Sequence, residues 1–285
     1  MLNLVFGLLD GTGYLLGILL SLICLVFHKL GGSHKKLVFA RLVCVFGVVL
    51  VVISATPIPY WLYAVWLIVI ISFLIGMNSR FWPVVNVVLT TKLILLSVLM
   101  VIIEVPHHLM PSYSLDKNTK VFVIGDSISA GVGDKTRLWP SYLAEMTGLQ
   151  VGNLALAGAN AKTALKQVDN IPVGESNVVI LEIGGNDLMG ETSDAEYVEN
   201  MERLLQAIRG KTQNVIFIEA PWYTFRNNFG KQQRLIAKRY NLVMVPKSVM
   251  INAIRKGSNT IDGLHLSEDG HRFMAETISK ILHVR

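Results

Sequence analysis

The first 105 residues carry only eight charged side chains, Asp10, Lys29, Lys35, Lys36, Arg41, Arg80, Lys92 and Glu104. A soluble domain averages roughly a quarter charged residues, so this half of the chain is not built to face water. The whole chain of 285 residues is 52% hydrophobic and 16% charged, and nearly all of the imbalance lies before Val105. Four apolar stretches, at about 2–27, 37–55, 60–77 and 84–105, each come close to the ~20 residues that cross a ~30 Å hydrocarbon layer. The pattern predicts an all-α transmembrane region of about four helices over 1–105, a linker over 106–119 and one soluble domain over 120–285. The first span is the weakest, because Asp10, Gly11, Thr12 and Gly13 interrupt it, and a carboxylate deep in a bilayer costs about 3 kcal/mol on insertion scales.

Basic residues set the orientation. Lys29, Lys35, Lys36 and Arg41 flank the first connection and Arg80 the third, whereas the second (Thr56, Pro57, Ile58, Pro59) has none, which places connections one and three on the cytoplasmic side. With an even number of spans, the soluble domain lies opposite, on the periplasmic or extracellular side of what would be a bacterial inner membrane. Lys92 is expected to extend its ammonium to the headgroups. The soluble part is nearly neutral and has no nucleic-acid footprint. Both cysteines, Cys24 and Cys44, lie in the apolar half, so the soluble domain has no disulfide. The seven histidines and two cysteines show no metal-ligand spacing, and neither metal nor cofactor is expected.

Beyond residue 119, short β-branched runs at about 121–125, 150–155, 177–183, 214–219 and 242–245 alternate with amphipathic segments at 137–147, 160–169, 194–210, 229–240 and 270–283. Strands as apolar as VFVIG and NVVILEIG fit a parallel sheet with helices on both faces, a three-layer doubly wound α/β domain. In such sheets ligands gather at the carboxyl ends of the strands. Polar clusters occur at those places: Gly125, Asp126, Ser127 after strand one, Asn153 to Gly158 after strand two, Gly184 to Asp187 after strand three, and Asp262 to His265 before the last helix.

These clusters hold the parts that acyl transfer needs. A serine hydroxyl becomes a nucleophile when a base takes its proton, and a carboxylate can hold that base in the right tautomer; Ser127, His265 and Asp262 suit the three roles. The backbone N–H groups of Ser127 and Gly158 and the side-chain amide of Asn186 are candidate donors to an oxyanion. Ser129 is expected to be a helix-entry hydroxyl and His271, His107 and His108 surface residues, while Asp126 and Asp187 are expected to accept from nearby backbone N–H groups.

With these motifs in order at the strand ends, residues 119–285 resemble the SGNH, or GDSL, hydrolase family. Gly125 to Gly131, with Trp139 and Pro140 after it, looks like the family's first block. Glu182 to Asp187 resembles its third, closest to the thioesterase and lysophospholipase branch, and Asp262 to Ser267 its fifth. The second block falls on Gly158 or Gly152, and Gly158, which follows the strand, is preferred. The resemblance implies a flavodoxin-like α/β/α fold and a membrane-anchored esterase, lipase or thioesterase acting through an acyl-enzyme on Ser127. The partner it implies is a small-molecule, lipid or glycan ester. An O-acyltransferase acting on an envelope glycan and a non-catalytic binding module on the same fold are the rival readings. The loop Pro221, Trp222, Tyr223, Thr224, Phe225 is expected to offer an apolar or sugar-facing wall.

Overall fold

The computed structural model describes residues 10–30, 34–54, 56–76, 82–132, 137–221, 226–255 and 263–285. Arg80, the segment 222–225 and Asp262 therefore lie outside the described residues. The chain forms two compact units, one of helices up to His108 and one that carries the sheet.

In the first unit, among the described residues, four helices follow one another: α1 (Thr12–Leu30), α2 (His34–Ile53), α3 (Tyr60–Gly76) and α4 (Trp82–Glu104). Two helical stretches, Lys35–Ile53 and Val87–His108, are long and apolar enough to cross a membrane, while Thr12–Phe27 and Tyr60–Gly76 are shorter apolar helices. The polar interruption of the first stretch has a local cause. Asp10 Oδ1 accepts the Thr12 backbone N–H at 2.8 Å and its hydroxyl at 2.6 Å, so the carboxylate caps α1 and the helix starts after it. Trp66 Nε1 donates to Ser97 Oγ at 2.9 Å, tying α3 to α4. Leu42, Trp61, Ile68, Ile75, Leu95 and Ile102 point outward on these helices and are exposed.

The second unit opens with β1 (Tyr113–Leu115), inside the segment read as a linker, and this strand pairs in parallel with β7 (Leu282–Val284). The main sheet contains β2 (Lys120–Gly125), β3 (Gln150–Asn153), β4 (Val178–Glu182), β5 (Asn214–Ile218) and β6 (Val243–Val245), in the order β3-β2-β4-β5-β6 with every pairing parallel. The order reverses at β2, and the crevice at the carboxyl ends of β2 and β4 is where a doubly wound sheet binds its ligand.

Alternation along the strands separates two apolar faces. Val121, Val123, Val178, Ile180, Ile216 and Ile218 pack on one side with Trp139 and Leu143 of α6 (Trp139–Thr147), Val249 and Ala253 of α11 (Ser248–Arg255), and Met274 and Ile278 of α12 (Glu268–Ile281). Their neighbours Val179, Leu181 and Phe217 are equally buried and face the other way. The α/β reading is thus realised with a parallel sheet. The expected helix over 160–169 is largely turn, with only α7 (Leu165–Val168) helical, because Asn160 and Thr163 exchange side-chain and backbone hydrogen bonds of 2.9 Å there. The remaining helices are α5 (Ser127–Ala130), α8 (Gly185–Met189), α9 (Asp194–Arg209) and α10 (Asn227–Arg239).

At the end of β5, Glu219 accepts from Arg234 Nε at 2.6 Å with side chains 1% and 9% exposed, and also accepts the Lys247 backbone N–H at 3.2 Å. Removing one partner of a buried pair leaves the other charge poorly compensated. Glu219→Ala should cost the sheet unit about 3 kcal/mol, read as faster amide exchange throughout β4 and β5.

Candidate active site

The candidate nucleophile stands directly after β2. Asp126 Oδ1 accepts the Ile128 N–H at 2.9 Å and caps α5, so the strand turns sharply into a helix and Ser127 is left half-buried at the rim. The Ser127 Oγ and His265 Nε2 are 3.1 Å apart, although 138 residues separate them in the chain. His265 reaches this position from the segment just before α12, whose N-terminus is capped by Ser267.

The turn requires the absence of a side chain at Gly125. A Cβ there would lie 2.7 Å from Ser129 Cβ and 2.9 Å from Glu182 Oε2, closer than real contacts allow. Gln167 of α7 holds the same glycine by its backbone, accepting its N–H at 3.0 Å and donating to its carbonyl at 2.9 Å. Gln167 carries no signal that singles it out in the sequence.

Behind the turn is a buried polar row. Ser129 Oγ donates to Glu182 Oε2 at 2.8 Å and accepts from Trp139 Nε1 at 3.1 Å, so Ser129 is a buried link between α6 and β4, contrary to its expected place as a helix-entry hydroxyl. His271 is buried too, accepting the Trp139 N–H on Nδ1 at 3.3 Å, which corrects its expected surface position. Burial pushes the His271 imidazole down to about 4. Burial, and next the neighbouring Asp126 charge, push Glu182 well above the usual carboxylate range. Asp126 is itself pushed up to about 6, first by burial, while its bond from Ile128 and the nearby His265 act in the opposite direction. Asp187 accepts the Ala161 N–H at 2.9 Å, as expected of a backbone acceptor, and burial pushes it up to about 6.

Asn186, in the first turn of α8, donates from Nδ2 to Ala159 O at 2.9 Å and to Asp126 Oδ2 at 3.2 Å. Gly158 precedes Ala159 in the loop after β3, with φ of +76°, a backbone region that favours glycine; Gly152 lies inside β3, paired with Phe122. The structure thus brings Ser127 and His265 together and links Asn186 to the loop that holds Gly158.

The sequence model of the GDSL-like Lipase/Acylhydrolase family matches residues 123–273, more than half of the chain and all of the segments just described. The chain belongs to this family. Among solved structures, a lipolytic protein of the G-D-S-L family from Veillonella parvula is 15% identical, with 57% of this chain and 97% of that one covered and a TM-score of 0.49. The lipase/acylhydrolase from Enterococcus faecalis is 20% identical, covering 57% and 94% with a TM-score of 0.46. The psychrotrophic esterase EstA from Pseudoalteromonas sp. is 18% identical, covering 56% and 94% with a TM-score of 0.49. No curated protein matches the chain. As a GDSL-type lipase/acylhydrolase, the protein is an ester hydrolase.

Proposed function

We propose that this ester hydrolase works through an acyl-enzyme on Ser127 and is held at a membrane by its N-terminal helices. The 3.1 Å approach of Ser127 Oγ to His265 Nε2 carries the reading, since a hydroxyl attacks a carbonyl only when its proton has somewhere to go. His265 takes that proton as Ser127 Oγ bonds to the acyl carbon, and Asp262 orients the imidazole. The Ser127 and Gly158 N–H groups and the Asn186 amide receive the negative charge on the former carbonyl oxygen. His265 then protonates the departing alcohol or thiol, and water, giving its proton to His265, releases the acid and restores Ser127.

Apolar side chains on the outward faces of α2, α3 and α4 support the membrane reading, because a surface of exposed Leu42, Trp61, Ile68 and Ile75 is too apolar to be left in water. On this reading α1 to α4 all span, the soluble domain starts near residue 120, and the site opens on the non-cytoplasmic side towards lipid or glycan esters.

A membrane-impermeant fluorophosphonate added to spheroplasts tests chemistry and orientation together. Stoichiometric labelling mapped to Ser127 is expected. A permeant probe that labels Ser127 where the impermeant one does not would reverse the orientation, and labelling at neither would remove the nucleophile.

A further inference from the structure

We infer that Asp126 is a positioning residue for hydrolysis: its Oδ2 fixes which end of the Asn186 amide faces the reacting carbonyl. The inference rests on the acyl-enzyme reading above and adds a residue to it. The nitrogen and oxygen ends of a side-chain amide are almost the same size and shape, so packing alone does not choose between them. Hydrogen-bond partners do. Asn186 Nδ2 faces two acceptors, Ala159 O at 2.9 Å and Asp126 Oδ2 at 3.2 Å. Turning the amide over would set its oxygen against both of them, and only the orientation with Nδ2 on this side escapes two acceptor–acceptor contacts.

Asp126 is well placed to enforce that choice. Its side chain is buried, its other oxygen is occupied by the Ile128 N–H, and its backbone N–H donates to Glu182 Oε2 at 3.3 Å, which Ser129 anchors in turn. With Oδ1 held by the backbone of its own turn, Oδ2 is the oxygen that accepts from Asn186. Both amide hydrogens are engaged in this state, so an oxyanion must draw one of them away. The bond to Asp126 is the longer of the two and is the one to yield, which leaves Ala159 O as the hinge about which the donor stays aimed.

Asp126→Asn tests this with little change in shape. The new amide can keep its oxygen on the Ile128 N–H, but then presents a donor to Asn186, where a carboxylate accepted before. In the full-length protein, kcat for a short p-nitrophenyl ester should fall about 10- to 100-fold with KM within twofold. Loss of an oxyanion donor itself typically costs about 10²- to 10³-fold, so Asn186→Ala should lie at or below Asp126→Asn. The deciding measurement is the double variant: in the Asn186→Ala background, Asp126→Asn should change kcat less than twofold, because a residue that acts through Asn186 has nothing left to act on. Losses that multiply, or an unchanged kcat in Asp126→Asn alone, would overturn the inference while leaving the acyl-enzyme intact. Equal activity in wild type and Ser127→Ala would instead remove the acyl-enzyme and this inference with it.

Discussion

Ser127→Ala should lower kcat/KM for ester hydrolysis by about 10⁴-fold or more, since triad members act as one unit and losing the nucleophile removes the covalent route altogether. The fold should be indifferent to the change. Ser127 is half-buried and its hydroxyl meets His265 Nε2, so the variant gives up one side-chain hydrogen bond, worth about 1 kcal/mol. Circular dichroism should therefore match wild type, and the thermal midpoint should lie within a few degrees of it, while activity disappears. The nearby Ser129 offers no substitute, because its hydroxyl is fully buried and engaged by Glu182 and Trp139. Activity within tenfold of wild type in Ser127→Ala would refute the acyl-enzyme.

The sheet unit should be more stable at pH 4 than at pH 6. Asp126 and Asp187 keep their protons up to about 6 in the folded state, against an ordinary 3.8, whereas His271 stays neutral down to about 4, against an ordinary 6.5. Between these limits the folded protein holds protons on Asp126, Asp187 and Glu182 that the unfolded chain releases, and lacks the one on His271 that the unfolded chain has bound. Folding thus takes up at least one net proton, and stability falls with rising pH by at least about 1.4 kcal/mol per unit. Glu182, raised by burial and by the neighbouring Asp126 charge, acts in the same direction. Amide exchange of Val179, Ile180 and Leu181, corrected for intrinsic rates, reads this directly. Asp187→Asn should make the slope shallower and His271→Asn should make it steeper. A wild-type stability that rises between pH 4 and 6 would contradict the assignment.

Which parts of this were legible in the sequence follows from the range of the forces involved. Strands β2, β4 and β5 are apolar runs whose burial leaves a local mark, and all five strands of the main sheet lie within one or two residues of the sequence reading. The β1–β7 pair leaves none, being three residues long on each side and joined across the whole unit. Helix α11 (Ser248–Arg255) lies between strand five and the last motif, outside the amphipathic segments that the sequence predicts. His271 could have been found: with Met274, Ala275 and Ile278 it occupies the i, i+3, i+4, i+7 stripe of α12, and that stripe is buried. Gln167 and the second bond of Asp126 were invisible for a different reason. Both are side chains that meet a distant backbone or amide only after the chain has folded, and the spacing of 42 residues to Gly125 and 60 to Asn186 encodes no pattern.

The pairing of β1 with β7 sets a clock on the maturation of the enzyme. Tyr113 is matched with Leu282, so the ribosome makes one strand 169 positions before the other, roughly 10 to 30 s at ordinary elongation rates. The same late segment delivers His265. During that interval the growing domain has Ser127 without His265 and an unclasped first strand, so on the acyl-enzyme reading proposed above hydrolysis begins only once the final helix has docked, well after the upstream helices have been made.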